Sequence, residues 1–208
     1  LTDANLSSAT GTLAKLTSVT ATGSSLAFAN LNGSTLLHSS FNGANMVTAH
    51  FDTATITNVD FTDATGSYTT WTSATLLDPN FTNADLTGAN FTNATLTTAT
   101  ATGVNLTGAN LKSTTFTDLS AVGATLDGAS LVNTSATGVT LNNASMAGVT
   151  GRYSNLANAT MNGADLSDAS LVWSNFDNAS ASGAKLTGAS ITDSSFNRTK
   201  FAGADLTG

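Results

Sequence analysis

Several residue types are absent or scarce in this sequence, and each absence excludes a class of site. Its 208 residues include no cysteine, which excludes disulfides, thiolate metal sites and cysteine nucleophiles. Only 9% of the residues are charged, and the net charge is −7. Because direct binding to nucleic acid needs a basic stripe, we expect none. No apolar run approaches the roughly 20 residues of a membrane span, so we expect no membrane-spanning segment either.

The sequence does contain an unbroken five-residue rhythm. Every fifth position from Leu1 to Leu206, here called the centre, holds an apolar residue or glycine. The position two residues before each centre is most often alanine and is small except at Pro79 and Leu119. None of the charged residues lies on either position. Because an unpaired buried charge costs several kcal/mol, these two positions are predicted to face the core and the other three to face water.

Glycine predicts where the chain turns. Fifteen of the 18 glycines lie two residues after a centre, as Gly33 and Gly88 do. Such a position suits a tight corner that needs a positive φ, which glycine adopts without steric cost. A period of five fits neither a helix nor a plain strand, whereas two inward and three outward residues suit one short side and one corner.

The repeating unit resembles that of the pentapeptide-repeat family. The segments 84–88 (Ala-Asp-Leu-Thr-Gly), 89–93 (Ala-Asn-Phe-Thr-Asn) and 164–168 (Ala-Asp-Leu-Ser-Asp) carry its pattern, and the pattern covers the whole chain. The resemblance implies an all-β fold, the right-handed quadrilateral β-helix or β-solenoid. With four repeating units in each coil, the chain would make about ten coils in a single domain over 1–208.

The sequence offers no catalytic constellation. A regular solenoid without insertions lacks the cleft in which catalytic groups converge. The two histidines, His38 and His50, fall on different sides of the predicted coil, and no two aspartates occupy the same column in consecutive coils. We therefore predict that the protein is not an enzyme and that it has no metal site and no cofactor.

Threonines line one predicted side. They flank its centres and recur once in each coil, although Leu37 and Leu77 interrupt the pattern and Ser135 ends it. This arrangement resembles the ice-binding face of β-solenoid antifreeze proteins, but threonine also suits β-strands in general. The threonine array consists of Thr55, Thr57, Thr75, Thr95, Thr97, Thr115 and Thr117.

A second surface combines apolar, aromatic and cationic residues. Val132, Arg152 and Val172 share one outward column in three consecutive coils, and Tyr153 and Trp173 form the next column. Exposed patches of this kind often mark contacts with partners. The alternative interpretation is that these side chains cover a thin spot at the glycine centre of residue 151. We call these five residues the aromatic patch.

Three functions are compatible with these observations. The first is a structural or interaction scaffold that is secreted, on the cell surface or periplasmic. It would bind a protein partner or its own copies, by side contacts or by head-to-tail stacking into a filament. The second follows from the resemblance, because some pentapeptide-repeat proteins act on DNA gyrase as an acidic DNA mimic; this function would place the chain in the cytoplasm. The third is ice binding.

Overall fold

The computed structural model describes residues 1–207 and contains a parallel β-solenoid. Three-residue strands stack on one side of the coils into a parallel sheet whose order follows the chain. Each strand pairs with the equivalent residues of the next coil, such as Thr55 with Thr75. The strands are β1 (Lys15–Thr17), β2 (Thr35–Leu37), β3 (Thr55–Thr57), β4 (Thr75–Leu77), β5 (Thr95–Thr97) and β6 (Thr115–Thr117).

The other sides are held by single parallel bridges with the same spacing. They run from Asn5 with Ser25 to Lys185 with Asp205, so the described residues form about ten coils of about 20 residues each. Backbone N–H groups donate to both neighbouring coils: the Leu6 nitrogen lies 2.7 Å from the Ser25 oxygen, and the Ser25 nitrogen lies 2.9 Å from the Ala4 oxygen. The fold class predicted from the sequence, an all-β right-handed quadrilateral β-helix, is confirmed.

Positive φ recurs at the corners. Many glycines and many non-glycine residues adopt positive φ, and all of these residues lie two residues after a centre. Asparagine and aspartate adopt this left-handed region more easily than other non-glycine residues and occupy many of these corners. Most corners also close with a turn hydrogen bond, as between the Ala4 nitrogen and the Leu1 oxygen at 3.0 Å.

The interior is apolar, and two facing stacks of aromatic rings fill its first half. Trp71 lies between Phe51 and Phe91, with ring centroids 4.2 and 5.7 Å away. In the facing column, the ring centroids of Phe61 and Phe81 are 5.0 Å apart. Rings of the two columns meet edge to face, an arrangement that aromatic quadrupoles favour. Centres and small positions are therefore buried together, as the charge pattern predicted.

Smaller centres leave a gap further along the interior. Ala101, Ala121 and Ala136 line an apolar cavity of about 40 Å³, together with leucine, valine and phenylalanine side chains. A cavity in a core lowers the free energy of unfolding by about 24 cal/mol for each Å³, so this cavity costs about 1 kcal/mol of stability.

Filling this cavity is expected to stabilise the protein. Ala121→Val adds two methyl groups at the cavity wall and should raise the free energy of unfolding by up to about 1 kcal/mol, measured by urea denaturation. Ala181→Val is the matched control, because Ala181 belongs to the same column but does not line the cavity. An equal gain in the control would show that the cavity is not the cause.

The side that carries the sheet differs between the two halves of the chain. Each strand from β1 to β6 is followed by a corner that has no turn hydrogen bond. Within the described residues, for example, the Val59 nitrogen does not donate to the oxygen of Ile56, the centre of β3. From Leu156 onward the bond is present, with 3.1 Å between the Ala159 nitrogen and the Leu156 oxygen. The side is therefore extended up to Thr117 and turns more tightly at its corner from Leu156 onward.

Among residues 1–207, no helix is both long and apolar enough to span a membrane.

Candidate functional site

Titratable side chains do not converge on a reaction centre. Residues 1–207 include no cluster of three or more histidine, aspartate or glutamate side chains that could hold a metal ion. His50 Nδ1 lies 3.0 Å from the Thr70 hydroxyl, and the Asn58 amide donates to His38 Nδ1 at 3.2 Å. Each histidine is therefore engaged by its own neighbour in the next coil.

The threonine array lies on the outer face of β3 to β6. In each strand the middle residue points inward, and Ile56, Leu76 and Leu96 are at most 4% exposed. The first and third residues of the strand point outward. Stacked strands repeat at about 4.8 Å, and alternate residues in a strand are about 6.6 Å apart, so the hydroxyls form a two-dimensional lattice. Thr17 and Thr35 extend this lattice toward the N-terminus.

The hydroxyls of the threonine array are free. None of them hydrogen-bonds to another described residue, whereas the hydroxyls of Thr82 and Thr92 donate to Asn80 and Asn90 at 2.7 and 2.6 Å. The difference has a local cause. Before Thr82 and Thr92 an asparagine two residues earlier offers a side-chain oxygen, but in β3, β5 and β6 the residue two before the last threonine is itself threonine. The array therefore presents unpaired hydroxyls together with methyl groups.

Two leucines interrupt the lattice, as the sequence predicted. Leu37 ends β2 and Leu77 ends β4, and the Leu77 side chain is 42% exposed. The first-residue column has no such interruption and carries threonine in five consecutive strands, from Thr35 to Thr115.

The structure brings the polar and aromatic members of the aromatic patch into contact. The Tyr153 and Trp173 rings stack with centroids 5.4 Å apart at an interplanar angle of 15°. The Arg152 guanidinium carbon lies 3.9 Å from the Trp173 centroid and 5.1 Å from the Tyr153 centroid, which is cation–π geometry. The rings remain 53% and 41% exposed. Within residues 1–207, the Arg152 side chain has no hydrogen-bond acceptor and no ion-pair partner.

The thin-spot interpretation of the aromatic patch is not supported by the geometry around Gly151. A Cβ on Gly151 would lie 2.3 Å from Leu171 Cδ2 and 2.7 Å from the Ser154 hydroxyl. Side chains inside the solenoid therefore fill the space at this centre, and Tyr153 is not needed to cover it. Tyr153 and Trp173 instead occupy corners with φ of 61° and 54°, a conformation that is unfavourable for bulky residues. Leu13, Phe28 and Tyr68 adopt the same conformation at other corners, so the coil geometry imposes it.

Aspartates on the outer columns serve the backbone. Partial burial raises the pKa of Asp85, but hydrogen bonds from Thr87 and Ser67 outweigh it and leave the pKa below its usual value. The hydrogen bond donated by the Ser167 hydroxyl is the main cause that lowers the pKa of Asp165. The Lys185 ammonium group, 3.2 Å from Asp165, adds to this effect. The lowered pKa values keep both carboxylates ionised, so they act as hydrogen-bond acceptors rather than as acids.

Comparison with known proteins gives a family match over well over half of the chain. A family model described as pentapeptide repeats matches eight copies, at residues 29–65, 80–118, 129–168 and 169–208. None of the curated proteins matches the chain.

Solved structures with the same architecture are similar to the chain. One is HetL, a pentapeptide repeat protein involved in heterocyst differentiation regulation from the cyanobacterium Nostoc sp. strain PCC 7120. It is 25% identical with a TM-score of 0.52, and the match covers 92% of this chain and 86% of HetL. A trypsin-treated variant of QnrB1, a plasmid-mediated fluoroquinolone resistance protein, is 17% identical with a TM-score of 0.43. That match covers 80% of this chain and 90% of QnrB1.

Proposed function

The chain belongs to the pentapeptide-repeat family, and from that premise we propose that it is a non-enzymatic scaffold whose threonine-lined sheet binds ice. The observation that carries the proposal is the lattice of free hydroxyls that the threonine array forms on β3 to β6. A flexible ligand can adapt to irregularly placed groups, so it does not require hydroxyls at a regular spacing. A crystal surface is itself a fixed lattice, so it can meet many equally spaced groups at once.

The chemistry of the threonine array suits ordered water. Each threonine offers a hydroxyl that can donate and accept a hydrogen bond, next to a methyl group that water can surround. The outward positions of β3 to β6 carry no charged side chain that would hold a disordered hydration shell. Because the strands are fixed by the solenoid, little conformational entropy is lost when the array binds. This function is consistent with a location outside the cytoplasm.

The DNA-mimic alternative gains no support from the charge distribution. A mimic of a nucleic acid needs a continuous acidic stripe. The thirteen acidic residues are spread over all four sides, and no two stand in consecutive coils of one column. Head-to-tail stacking into filaments stays a prediction.

A second candidate function, binding to a protein, is favoured by the aromatic patch. Stacked aromatic residues with an arginine are common anchors of protein interfaces. Since the array ends at Thr117 and the patch begins at Val132, one chain can use both surfaces independently.

Ice binding is tested by thermal hysteresis and by uptake into a growing ice hemisphere. Thr95→Lys and Thr97→Lys place long cationic side chains in the middle of the array and should reduce both signals to the level of a protein that does not bind ice. Leu37→Thr with Leu77→Thr completes the lattice and should raise thermal hysteresis above wild type.

The matched control is Thr100→Lys. Thr100 lies in the same coil on the neighbouring side and is exposed, and Lys200 occupies its column further along. This variant should behave as wild type. Absence of hysteresis in the wild-type protein, or an equal loss in the control, would refute ice binding by this sheet. Circular dichroism confirms that each variant is folded.

A further inference from the structure

One corner of the solenoid carries unpaired charges of opposite sign on either side of an aromatic ring. Tyr153, Trp173 and Asp193 occupy this corner in three consecutive coils, with φ of 61°, 54° and 56°. Arg152 lies beside Tyr153, and Asp193 is exposed. As with Arg152, the Asp193 carboxylate has no hydrogen-bond donor or ion-pair partner within the described part of the chain. Arg152 and Asp193 are therefore two coils apart, about 9.6 Å along the solenoid axis, with Trp173 between them.

This order of groups is self-complementary under a two-fold rotation. Two copies can lie side by side with a two-fold axis between them, at the level of Trp173. This axis lies in the plane of contact and is perpendicular to the solenoid axis. It places a second copy antiparallel to the first and keeps every column opposite itself. The coil before Trp173 then faces the coil after it. Arg152 meets Asp193 of the second copy, the reverse pair forms by symmetry, and the two Trp173 rings meet at the axis.

We propose that the aromatic patch is a self-association surface through which two copies of this chain dock side by side and antiparallel. This proposal names the partner of the patch and rests on the protein-binding candidate, not on ice binding. Charge complementarity favours a second copy as the occupant, because the acidic group that Arg152 lacks stands two coils away on the same corner. Tyr153 also faces Asp193 of the second copy, to which its hydroxyl can donate.

The contact is expected to be weak and reversible. A corner presents less area than a flat side, and contacts below about 1,200 Å² are typical of transient complexes. Each copy carries a net charge of −7, which opposes association. At physiological ionic strength this repulsion is screened beyond about 8 Å, whereas the Arg152–Asp193 pairs act at contact distance. Dimers should therefore form as the protein concentration rises, and the threonine array should remain uncovered.

Sedimentation equilibrium of the wild-type chain and of charge variants tests the proposal. Arg152→Asp and Asp193→Arg each oppose like charges across the axis and should weaken the dimer on the order of tenfold or more. The chain that carries both changes reverses both pairs and should recover wild-type association. Lys112→Asp is the control, because Lys112 lies in the column of Arg152 but two coils before it, outside the patch; it should leave the dimer intact.

Engineered cysteines test the symmetry, because the natural chain has none. Under mild oxidation, Val172→Cys should form a covalent dimer, since Val172 lies beside the axis. Arg152→Cys and Asp193→Cys should cross-link with each other faster than either does with itself. Thr95→Cys, on the sheet, should cross-link only at the rate of random collisions.

Three results would overturn the proposal: a wild-type chain that stays monomeric at every concentration, a double charge reversal that fails to recover association, or Val172→Cys cross-linking no faster than Thr95→Cys. Because these readouts do not involve ice, a failed dimer leaves ice binding standing. Binding of a different protein at the patch, lost in Trp173→Ala while the wild-type chain is monomeric, would support the protein-binding candidate and refute self-association.

Discussion

Replacing Ala109 with aspartate is expected to unfold the middle coils, whereas aspartate at the neighbouring Gly108 should be tolerated. Ala109 is completely buried on a small position. A carboxylate there has no partner, and burying it costs several kcal/mol, which is a large part of the stability of a typical domain. Gly108 lies on a corner with φ of 64°, and a Cβ added there meets no atom within 4 Å.

The tolerance at Gly108 follows from its own corner column. Asp168 stands in that column three coils later with φ of 56°. Gly108→Asp should therefore cost only the strain of a non-glycine residue in the left-handed region, about 1 kcal/mol. Urea unfolding followed by circular dichroism measures both changes. Equal destabilisation by the two substitutions would contradict the assignment of inward and outward positions.

The fold was predictable because each unit repeats the same physical requirement. Charges avoid two positions in five, and this alone separates the interior from the surface. The corners were predictable in part. Glycine marked the place of positive φ, but Leu13, Phe28 and Tyr68 adopt it as well, and no local preference of these residues would have indicated it. Each is held there by a hydrogen bond that its backbone N–H donates to the next coil, as from Tyr68 to the Thr87 oxygen at 2.8 Å.

The extended sheet and its end were harder to predict. β-branched threonines favour strands at Thr55 and Thr95, which the sequence does indicate. The turn hydrogen bond is present after Leu156, where Asn155 and Ala157 replace both flanking threonines, but among the described residues none joins the Val139 nitrogen to the Ala136 oxygen. Packing between coils decides this, and a five-residue pattern does not encode it.

The candidate surfaces were predictable as columns but not as contacts. Counting coil by coil placed Tyr153 under Trp173 and aligned the threonines, and the structure agrees. The position of the Arg152 guanidinium over both rings depends on side-chain rotamers. Asp193 was missed, although the same count from Trp173 leads to it. Free hydroxyls could also have been recognised, because Thr57 follows a threonine rather than an asparagine or aspartate at the position two before it.

Trp71→Ala is expected to lower the free energy of unfolding by about 3–5 kcal/mol, the usual cost of removing a buried aromatic side chain. Trp71 is fully buried and stacks on Phe51 and Phe91. Its indole also donates to the Thr69 hydroxyl at 2.8 Å. Truncation therefore opens a cavity, separates the two remaining rings of the stack and removes a buried hydrogen bond.

Trp173→Ala provides the matched control, because it removes the same side chain from an exposed corner. Its cost should be about 1 kcal/mol, since it loses the stack on Tyr153 and the arginine contact but creates no cavity. Circular dichroism gives both unfolding curves. The chain has two tryptophans, so fluorescence of the remaining one reports the core in Trp173→Ala and the aromatic patch in Trp71→Ala. If the exposed tryptophan cost as much as the buried one, the aromatic patch would be part of the stabilising core, and its role as a free docking surface would have to be abandoned.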